Sequence, residues 1–419
     1  MKTNILSSIL VLSAAVAFAE PAVTVDKVQQ RFPWNGIVDI DYTISGLEGD
    51  PLDYVVEFSL DGTPLSNFVA YAACDLPTAN GANRAAWWAA QDGYTNAVKG
   101  ATLSARLIRR VLTATDATYM IIDLTAGKDA AAYPVRYAAD CASSQFNKDT
   151  YKSDRLVLKR LPKGDFWMGE GGYDGKGSRK AEWNSDVTYP GNRHRVRLSH
   201  DFYLGLFELT QGQYLNVIGT NPALFKNDRG DTDLRRPVEN ISYATMEDAD
   251  GVLARLTARV TARTTKVGTF RLPTESQWEY ACRAGTTTMR YYGDYATSMP
   301  LLEFNVVVGA TAESYLNSEG GRTRRTSAVG RKLPNPWGFY DMFGNVQEFC
   351  SDWYGAYPEG TEEEPAVDPE KTETTDFLRC MRGQGYGSQS DHYTVLAGAR
   401  GYSSGYGGDQ GLRVSITLK

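Results

Sequence analysis

Histidine and cysteine are scarce in this chain, which has 3 histidines and 5 cysteines among its 419 residues. Multi-histidine metal enzymes and cysteine-based metal or redox motifs place several of these residues at short spacings. No two cysteines here are close enough to form a C-x-x-C motif. The composition, with 25 tyrosines and 40 glycines, instead favours a loop-rich protein with an aromatic surface.

The chain also lacks an excess of positive charge and, beyond its first residues, any long apolar run. Its net charge is -6, whereas a general nucleic-acid binder is normally basic. We therefore expect no nucleic-acid partner. No stretch after residue 19 is long and apolar enough for a membrane-spanning helix, so we also expect no transmembrane segment.

The first residues have the pattern of a secretory signal peptide. Lys2 is followed by an apolar run over residues 5–16, and Ala17-Phe18-Ala19 then has the small-x-small form of a cleavage site. The sequence predicts a signal peptide over residues 1–19. We therefore expect a secreted or extracytoplasmic protein, in the periplasm or at the cell surface.

The five cysteines can form disulfides in an exported protein, because oxidising compartments preserve them. Cys74 and Cys141 fall in one predicted domain, and Cys282, Cys350 and Cys380 fall in the other. A pair can form within each domain, and the odd total leaves one thiol free or paired between chains. The sequence does not select the partners.

Residues 20–150 show the period-two pattern of half-buried strands. Apolar and polar residues alternate over 38–44 and again over 54–60, where an Asp-Gly turn follows. Segments 103–111 and 119–124 add two more candidate strands. Short strands separated by turns predict an all-β sandwich of immunoglobulin or fibronectin type, which would serve as a spacer or docking module.

A second domain is predicted over residues 151–419, after a polar stretch at the boundary. Capping-box spacings mark three helix starts, at Thr210, Thr245 and Thr274, each followed three residues later by Gln or Asp. Regular patterns fade after Arg283, where Gly, Tyr, Asp and Pro dominate. We therefore expect an α+β fold with long loops.

Residues 334–354 place two opposing demands on the fold. Prolines and glycines exclude a regular helix, while several large aromatic residues require burial. Asp341 and Glu348 lie within this apolar run. A buried carboxylate needs a partner, since an unpaired charge is costly in a protein interior. A bound cation would supply one. The alternative is a turn cap for Asp341 and a nearby arginine for Glu348.

Several segments of the second domain occur together in a characteristic order, although each is weak by itself. They are residues 164–169 (GDFWMG), 194–198 (HRVRL), 202–211 (FYLGLFELTQ), 271–281 (RLPTESQWEYA), 334–354 and 411–414 (GLRV). With these segments the chain resembles the sulfatase-modifying-factor family, also called formylglycine-generating-enzyme-like domains. The resemblance implies a loop-rich α+β fold related to C-type lectins.

The resemblance also implies a structural Ca²⁺ ion. Its ligands would be the side chains of Asp341 and Glu348 and the backbone carbonyls of Gly344 and Val346. Such hard oxygen donors suit Ca²⁺. A second calcium site of the family would start at Asn305, but its later part has no counterpart here, so we do not predict it.

Enzymes of this family use O₂ to oxidise a sulfatase cysteine to formylglycine, at Cu(I) held by two cysteines. The corresponding positions here fall near Ser388 and Tyr393, and no cysteine follows Cys380. Hydroxyl and phenol oxygens are poor Cu(I) ligands, so we expect no copper. The histidines also lack the spacing of the three-histidine iron site of a related class, the sulfoxide synthases. They are His194, His200 and His392.

Tyrosines and glycines alternate towards the C-terminus. In the family, the loops corresponding to residues 383–411 border the peptide-binding cleft. Tyrosine offers a flat apolar face with a polar tip to peptides or sugars, but it can equally pack the loops and bind nothing. The candidate cleft residues are Ser388, His392, Tyr393, Tyr402 and Tyr406.

Three functions are compatible with these patterns. The first is a secreted, non-catalytic family member that binds a polypeptide or a glycan. The second is a formylglycine-generating-type oxidase with other metal ligands, Cys380 among them. The third is a structural cell-surface protein. We favour the first, because the family's scaffold is retained and its thiol pair is missing.

Overall fold

A computed structural model describes most of the chain. The described residues are 21–31, 36–47, 54–66, 68, 80–94, 102–109, 112–139, 142–169, 179–181, 184–189, 193–226, 233–261, 268–293, 313–316, 322–373, 377–386 and 396–418. The predicted signal peptide lies outside them, as do Cys74, Cys141, Ser388, His392 and Tyr393.

The chain divides into two compact units. The first contains residues 1–71 and 75–111, and the second contains 72–74 and 112–419. This division differs from the predicted boundary near residue 150. The reason is strand pairing, because the strand Tyr119–Asp123 pairs with the strand Arg155–Leu161 of the second unit.

The first unit is built from β-strands, as its alternating pattern predicted. They are β1 (Ala22–Gln30), β2 (Val38–Ser45), β3 (Tyr54–Leu60), β4 (Thr63–Pro64), β5 (Gly81–Trp87) and β6 (Leu103–Arg109). They pair in two antiparallel sheets with the orders β1-β2-β5 and β4-β3-β6. Inward residues of both sheets, such as Ile40 and Phe58, share one apolar core. The β-rich character is confirmed, while the immunoglobulin or fibronectin type stays a prediction.

The second unit has many short strands and few helices. Its strands are β7 (Tyr119–Asp123), β8 (Val135–Ala138), β9 (Arg155–Leu161), β10 (Gly164–Met168), β11 (Arg179–Ala181), β12 (Asn184–Tyr189), β13 (His194–Leu198), β14 (Phe202–Gly205), β15 (Phe270–Arg271), β16 (Glu313–Leu316), β17 (Arg322–Arg325), β18 (Gln347–Trp353), β19 (Ala366–Val367), β20 (Arg379–Arg382), β21 (Gly401–Ser403), β22 (Gln410–Gly411) and β23 (Ser415–Thr417). Its helices are α1 (Thr150–Ser153), α2 (Gln211–Ile218), α3 (Tyr243–Glu247), α4 (Val252–Thr261) and α5 (Glu275–Arg283).

Two sheets of the second unit position the residues of interest. The larger has six strands in the order β15-β23-β14-β9-β7-β8. The other has the order β21-β20-β18-β22, in which β18 pairs antiparallel with β20 and parallel with β22. Strands β18 and β20 lie between two apolar clusters, with Phe349 and Met381 in one and Cys350 and Cys380 in the other.

The capping boxes predicted at Thr210 and Thr274 are confirmed. Each threonine hydroxyl accepts the backbone N–H of the glutamine three residues later, and that glutamine side chain accepts the threonine N–H. Helix α2 ends at Gly219 with φ of 91°, a conformation that suits glycine. The helix start predicted at Thr245 is wrong. The hydroxyl of Ser242 accepts the Thr245 N–H and caps the short helix α3, and α4 starts separately.

No helix in the described ranges is both long enough and apolar enough to cross a bilayer.

Candidate ligand-binding site

Three carboxylates are buried together around the segment 334–354. Glu208, Asp341 and Glu348 are each no more than 3% exposed. Burial, together with the charges of Asp341 and Glu348, raises the pKa of Glu208 well above its usual value. Burial also raises the pKa of Asp341. The carboxylates are therefore close enough to destabilise one another's charged forms.

Glu348 is held by an arginine and a tryptophan. Nη2 of Arg413 lies 2.8 Å from Oε1 of Glu348, and Nε of Arg413 lies 3.0 Å from Oε2. Trp278 donates its Nε1–H to Oε2 at 2.8 Å. The remaining contacts of Arg413 are to the backbone carbonyls of Gly205 and Tyr340. This is the arginine partner that the sequence offered as the alternative to a cation.

Asp341 and Glu208 accept hydrogen bonds from the backbone. Asp341, which has a positive φ of 55°, accepts the Gly330 N–H at 2.6 Å. Glu208 accepts the Val346 N–H at 3.0 Å and the side-chain amide of Asn345 at 2.6 Å. Both carboxylates thus fix the turn that carries the predicted calcium ligands.

The cluster offers oxygen donors, the type of ligand that a hard cation prefers. Arg413 and Lys152 act on Asp341 as cations, and the raised pKa of Glu208 favours its neutral form. A divalent ion bound here would favour the charged forms of Glu208 and Asp341. No set of three or more His, Cys, Asp or Glu side chains in the described ranges has the arrangement of a metal site. Backbone carbonyls such as those of Gly344 and Val346 would therefore have to complete the coordination.

A separate cavity of about 300 Å³ lies at the N-terminal end of helix α5. This volume is at the lower end of the range for ligand pockets. The lining combines charged groups with apolar walls. It consists of Met168, His194, Glu275, Ser276, Asp352, Ala356, Tyr357, Pro358, Pro369, Glu370, Lys371 and Arg400.

Glu275 and Arg400 form an ion pair in the cavity wall. Nη2 of Arg400 lies 2.7 Å from Oε2 of Glu275, and the Tyr357 hydroxyl donates to Oε1 at 3.1 Å. The Arg400 guanidinium also lies 4.0 Å from the ring centroid of Tyr357 and 4.8 Å from that of Tyr354. The charge of Glu275 is therefore compensated, and two aromatic rings hold the arginine in place.

Asp352 differs from Glu275 in its partners. It is 5% exposed and accepts the backbone N–H groups of Glu275 at 2.7 Å and Lys371 at 3.0 Å. These contacts are to the backbone rather than to a cation. Burial, with the charge of Glu275, raises the pKa of Asp352 to about 7. The cavity therefore contains a carboxyl group that changes its charge near neutral pH.

Of the five predicted cleft residues, the structure describes Tyr402 and Tyr406, which are 58% and 68% exposed. The Tyr402 ring lies 4.8 Å from the ring of Tyr354, which in turn contacts the cavity residue Arg400. Tyr402 is thus connected to the cavity through a stack of side chains. Neither Tyr402 nor Tyr406 is itself a lining residue of the cavity.

The principal cavity residues were not identified from the sequence. Glu275 directly follows the recognised cap at Thr274, and Asp352 lies inside the recognised segment 334–354. Both residues thus lie in or beside motifs that the sequence analysis recognised. Their contact could not be predicted, because they are 77 residues apart in the sequence. Arg400 gave no signal apart from its place in the tyrosine-rich tail.

The described cysteines are free. Cys282, Cys350 and Cys380 are all buried thiols, so the disulfide anticipated among them is not formed in this structure. Two of the three histidines are described. His194 packs against Tyr357, with ring centroids 4.6 Å apart, and Nδ1 of His200 lies 2.7 Å from the Ser199 hydroxyl.

This fold and these site segments belong to a recognised class of domains. Residues 143–418 match the family model for the sulfatase-modifying factor enzyme 1-like domain. The chain is a member of this family, as its sequence motifs predicted.

Curated relatives match smaller parts of the chain. A protein of Paenibacillus barcinonensis named chaperone protein LppX is 28% identical over 244 residues, which cover 51% of this chain and 79% of the relative. The formylglycine-generating enzyme of Streptomyces coelicolor is 34% identical over 147 residues, which cover 34% of this chain and 45% of the enzyme. The chain therefore spans less than half the length of that enzyme. Among solved structures, PvdO from Pseudomonas aeruginosa aligns with a TM-score of 0.46 and 24% identity, over 65% of this chain and 97% of PvdO.

Proposed function

We propose that this chain is an extracytoplasmic, non-catalytic family member that binds a polypeptide at the cavity beside Tyr402. The observation that carries the proposal is the connection from exposed Tyr402 through Tyr354 and Arg400 to a cavity of about 300 Å³. An exposed aromatic ring next to a pocket with fixed charges can anchor a ligand segment while the pocket receives one side chain.

The lining of the cavity favours a polypeptide over a glycan. Met168, Pro358 and Pro369 provide apolar walls for a side chain, and the charged groups at the helix end provide polar contacts. The name of the Paenibacillus barcinonensis relative, a chaperone protein, points to the same class of ligand. A glycan ligand is the main alternative.

The proposed lack of catalysis depends on the sequence at the copper positions. By the family resemblance, the two thiol positions fall near Ser388 and Tyr393, neither of which provides a soft ligand for Cu(I). This match supports a chain without the family's known copper centre.

We also propose a structural Ca²⁺ ion bound by Asp341, Glu348 and the carbonyls of Gly344 and Val346. Support comes from the burial of three neighbouring carboxyl groups and from the oxygen donors at their turn. Such an ion would fix the segment 334–354, which contains strand β18 and the cavity residue Asp352.

The binding proposal can be tested with the full chain and two probes. A reduced, carboxymethylated protein serves as an unfolded polypeptide, and a glycan array covers the alternative. We expect saturable binding of the polypeptide that weakens at least tenfold in Tyr402→Ala. Trp88→Ala, in the first unit, removes another half-exposed aromatic residue, 41% exposed, and is expected to bind normally.

Other outcomes would support other functions. Binding that is unchanged in Tyr402→Ala would exclude this site, and selective glycan binding would change the ligand class. Self-association without any ligand would favour a structural protein. Conversion of a sulfatase-derived cysteine peptide to its aldehyde in the presence of Cu(I) and O₂ would identify an oxidase.

A further inference from the structure

Two buried cysteines lie on neighbouring strands that pair with each other. In the antiparallel pair of β18 and β20, Glu348 lies opposite Arg382 and Phe349 lies opposite Met381. Cys350 and Cys380 are the next residues after the second of these pairs. The register is irregular between Phe349 and Trp353, and Trp353 then lies opposite Arg379.

The two cysteine side chains also project from the same face of the sheet. Successive residues of a strand point to opposite faces, and Phe349 and Met381 belong to one apolar cluster while Cys350 and Cys380 belong to the other. Both cysteines are completely buried. Residues next to a paired position on adjacent antiparallel strands can come within the Cα separation of about 4.4–6.8 Å that a disulfide requires.

Each of the two thiols acts on the pKa of the other. After burial, the neighbouring Cys380 thiol is the largest influence that raises the pKa of Cys350. The interaction with Cys350 by itself lowers the pKa of Cys380. Burial raises this pKa by a larger amount, so the net change is a rise. Cys282 lies in the same apolar cluster, but the charges that act on its pKa come from arginine and glutamate side chains.

We propose that Cys350 and Cys380 are a site of covalent modification, at which an intramolecular disulfide joins β18 to β20. The two thiols lose two protons and two electrons, and one S–S bond forms. A disulfide oxidant, such as oxidised glutathione, accepts the electrons and becomes two thiols through a mixed-disulfide intermediate. Of the three cysteines that the structure describes, Cys282 is the one that stays reduced.

The disulfide would strengthen the wall behind the cavity. Strand β18 carries Asp352, and the charge of the cavity residue Glu275 acts on both thiols. Because the thiols are buried, exchange requires opening of the strand pair, and oxidation during folding is the direct route. This inference does not depend on the identity of the ligand.

The test is to refold the full chain with oxidised glutathione or with a reducing agent, and to map the cysteines after alkylation. Trypsin separates the two cysteines, because Lys371 and Arg379 lie between them. We expect a linked Cys350–Cys380 peptide pair, lighter by about 2 Da than the sum of the reduced peptides, and alkylated Cys282. The oxidised protein should melt on the order of 5–10 °C higher than the reduced protein.

Matched variants distinguish this pair from other thiols. Cys282→Ser should retain the linked peptide and the redox-dependent melting temperature, whereas Cys350→Ser and Cys350→Ala should lose both. Absence of the linked peptide from oxidised wild-type protein would overturn the proposal, as would linkage of Cys282 to either partner. The wild-type measurement decides the question even if a Cys350 variant does not fold.

Discussion

Glu348 and Arg413 form a fully buried ion pair that connects strand β18 to the end of the chain. Two nitrogens of the guanidinium contact both oxygens of the carboxylate, at 2.8 and 3.0 Å, and the side chains are 1% and 0% exposed. Arg413 also binds the Gly205 carbonyl of β14. One arginine thus connects the second unit's two largest sheets to the segment 334–354.

Removal of Arg413 should be strongly destabilising. Arg413→Met leaves Glu348 buried without its cation, and loss of one partner of a buried pair costs about 3–5 kcal/mol. Urea unfolding monitored by tryptophan fluorescence measures this change. The double variant Arg413→Met/Glu348→Gln should recover part of the stability, because it removes the uncompensated charge as well. A double variant no more stable than Arg413→Met would contradict the ion-pair explanation.

Calcium should stabilise the folded protein if the proposed site exists. Ca²⁺ at one hundred times its dissociation constant would add about 2.7 kcal/mol to the free energy of unfolding, and a chelator would remove it. Asp341→Asn should abolish the calcium-dependent rise in melting temperature. Asp165→Asn, which alters an exposed pair with Arg197, is the control and should keep the rise. An equal response of wild-type protein and Asp341→Asn would rule out this site.

Asp352 should give the stability a pH dependence between about pH 4 and pH 7. Its folded pKa is raised from 3.8 to about 7, so in this window the folded state binds a proton that the unfolded state has released. The stabilisation that this proton provides is fully present below the pKa of Asp352 in the unfolded state. It is lost as the pH rises through the pKa of Asp352 in the folded state. Relative to wild type, Asp352→Asn should therefore gain on the order of 3–4 kcal/mol between pH 4 and pH 7.5.

The measurement for Asp352 is a series of urea titrations of both proteins across this pH range. The quantity to compare is the change with pH of the difference in unfolding free energy between the two proteins. Asp352→Asn also alters the hydrogen bonds to Glu275 and Lys371, and this adds an offset at every pH. A difference independent of pH would show that the carboxyl group has an ordinary pKa.

The N-terminal cap of helix α5 should make a small contribution to the free energy of unfolding. Thr274→Ala removes the hydroxyl that accepts the Gln277 N–H at 3.1 Å and should cost about 1 kcal/mol. Thr274→Ser keeps the hydroxyl and should cost much less. Helix α5 supplies Glu275 to the cavity. Polypeptide binding, measured under conditions in which both variants are fully folded, therefore tests whether the cap also positions the site.

The sequence was sufficient wherever the structural signal is local. The alternation over residues 38–44 and 54–60 predicted β2 and β3, because each strand buries one face. Thr210 and Thr274 predicted helix starts, because a capping box involves residues only three positions apart. Local spacing misplaced the cap at Thr245, since Ser242 uses a hydroxyl of the same kind three residues earlier.

The sequence also determined family membership and showed that the carboxylates in the apolar segment 334–354 need partners. Only the tertiary structure decided which groups are those partners. Arg413 reaches Glu348 across 65 residues, Asp352 reaches the N–H of Glu275 across 77, and Arg400 reaches the Glu275 carboxylate across 125. Such pairs depend on how strand β18, helix α5 and the last residues of the chain are brought together, and hydrophobic periodicity carries no information about which distant charges then meet.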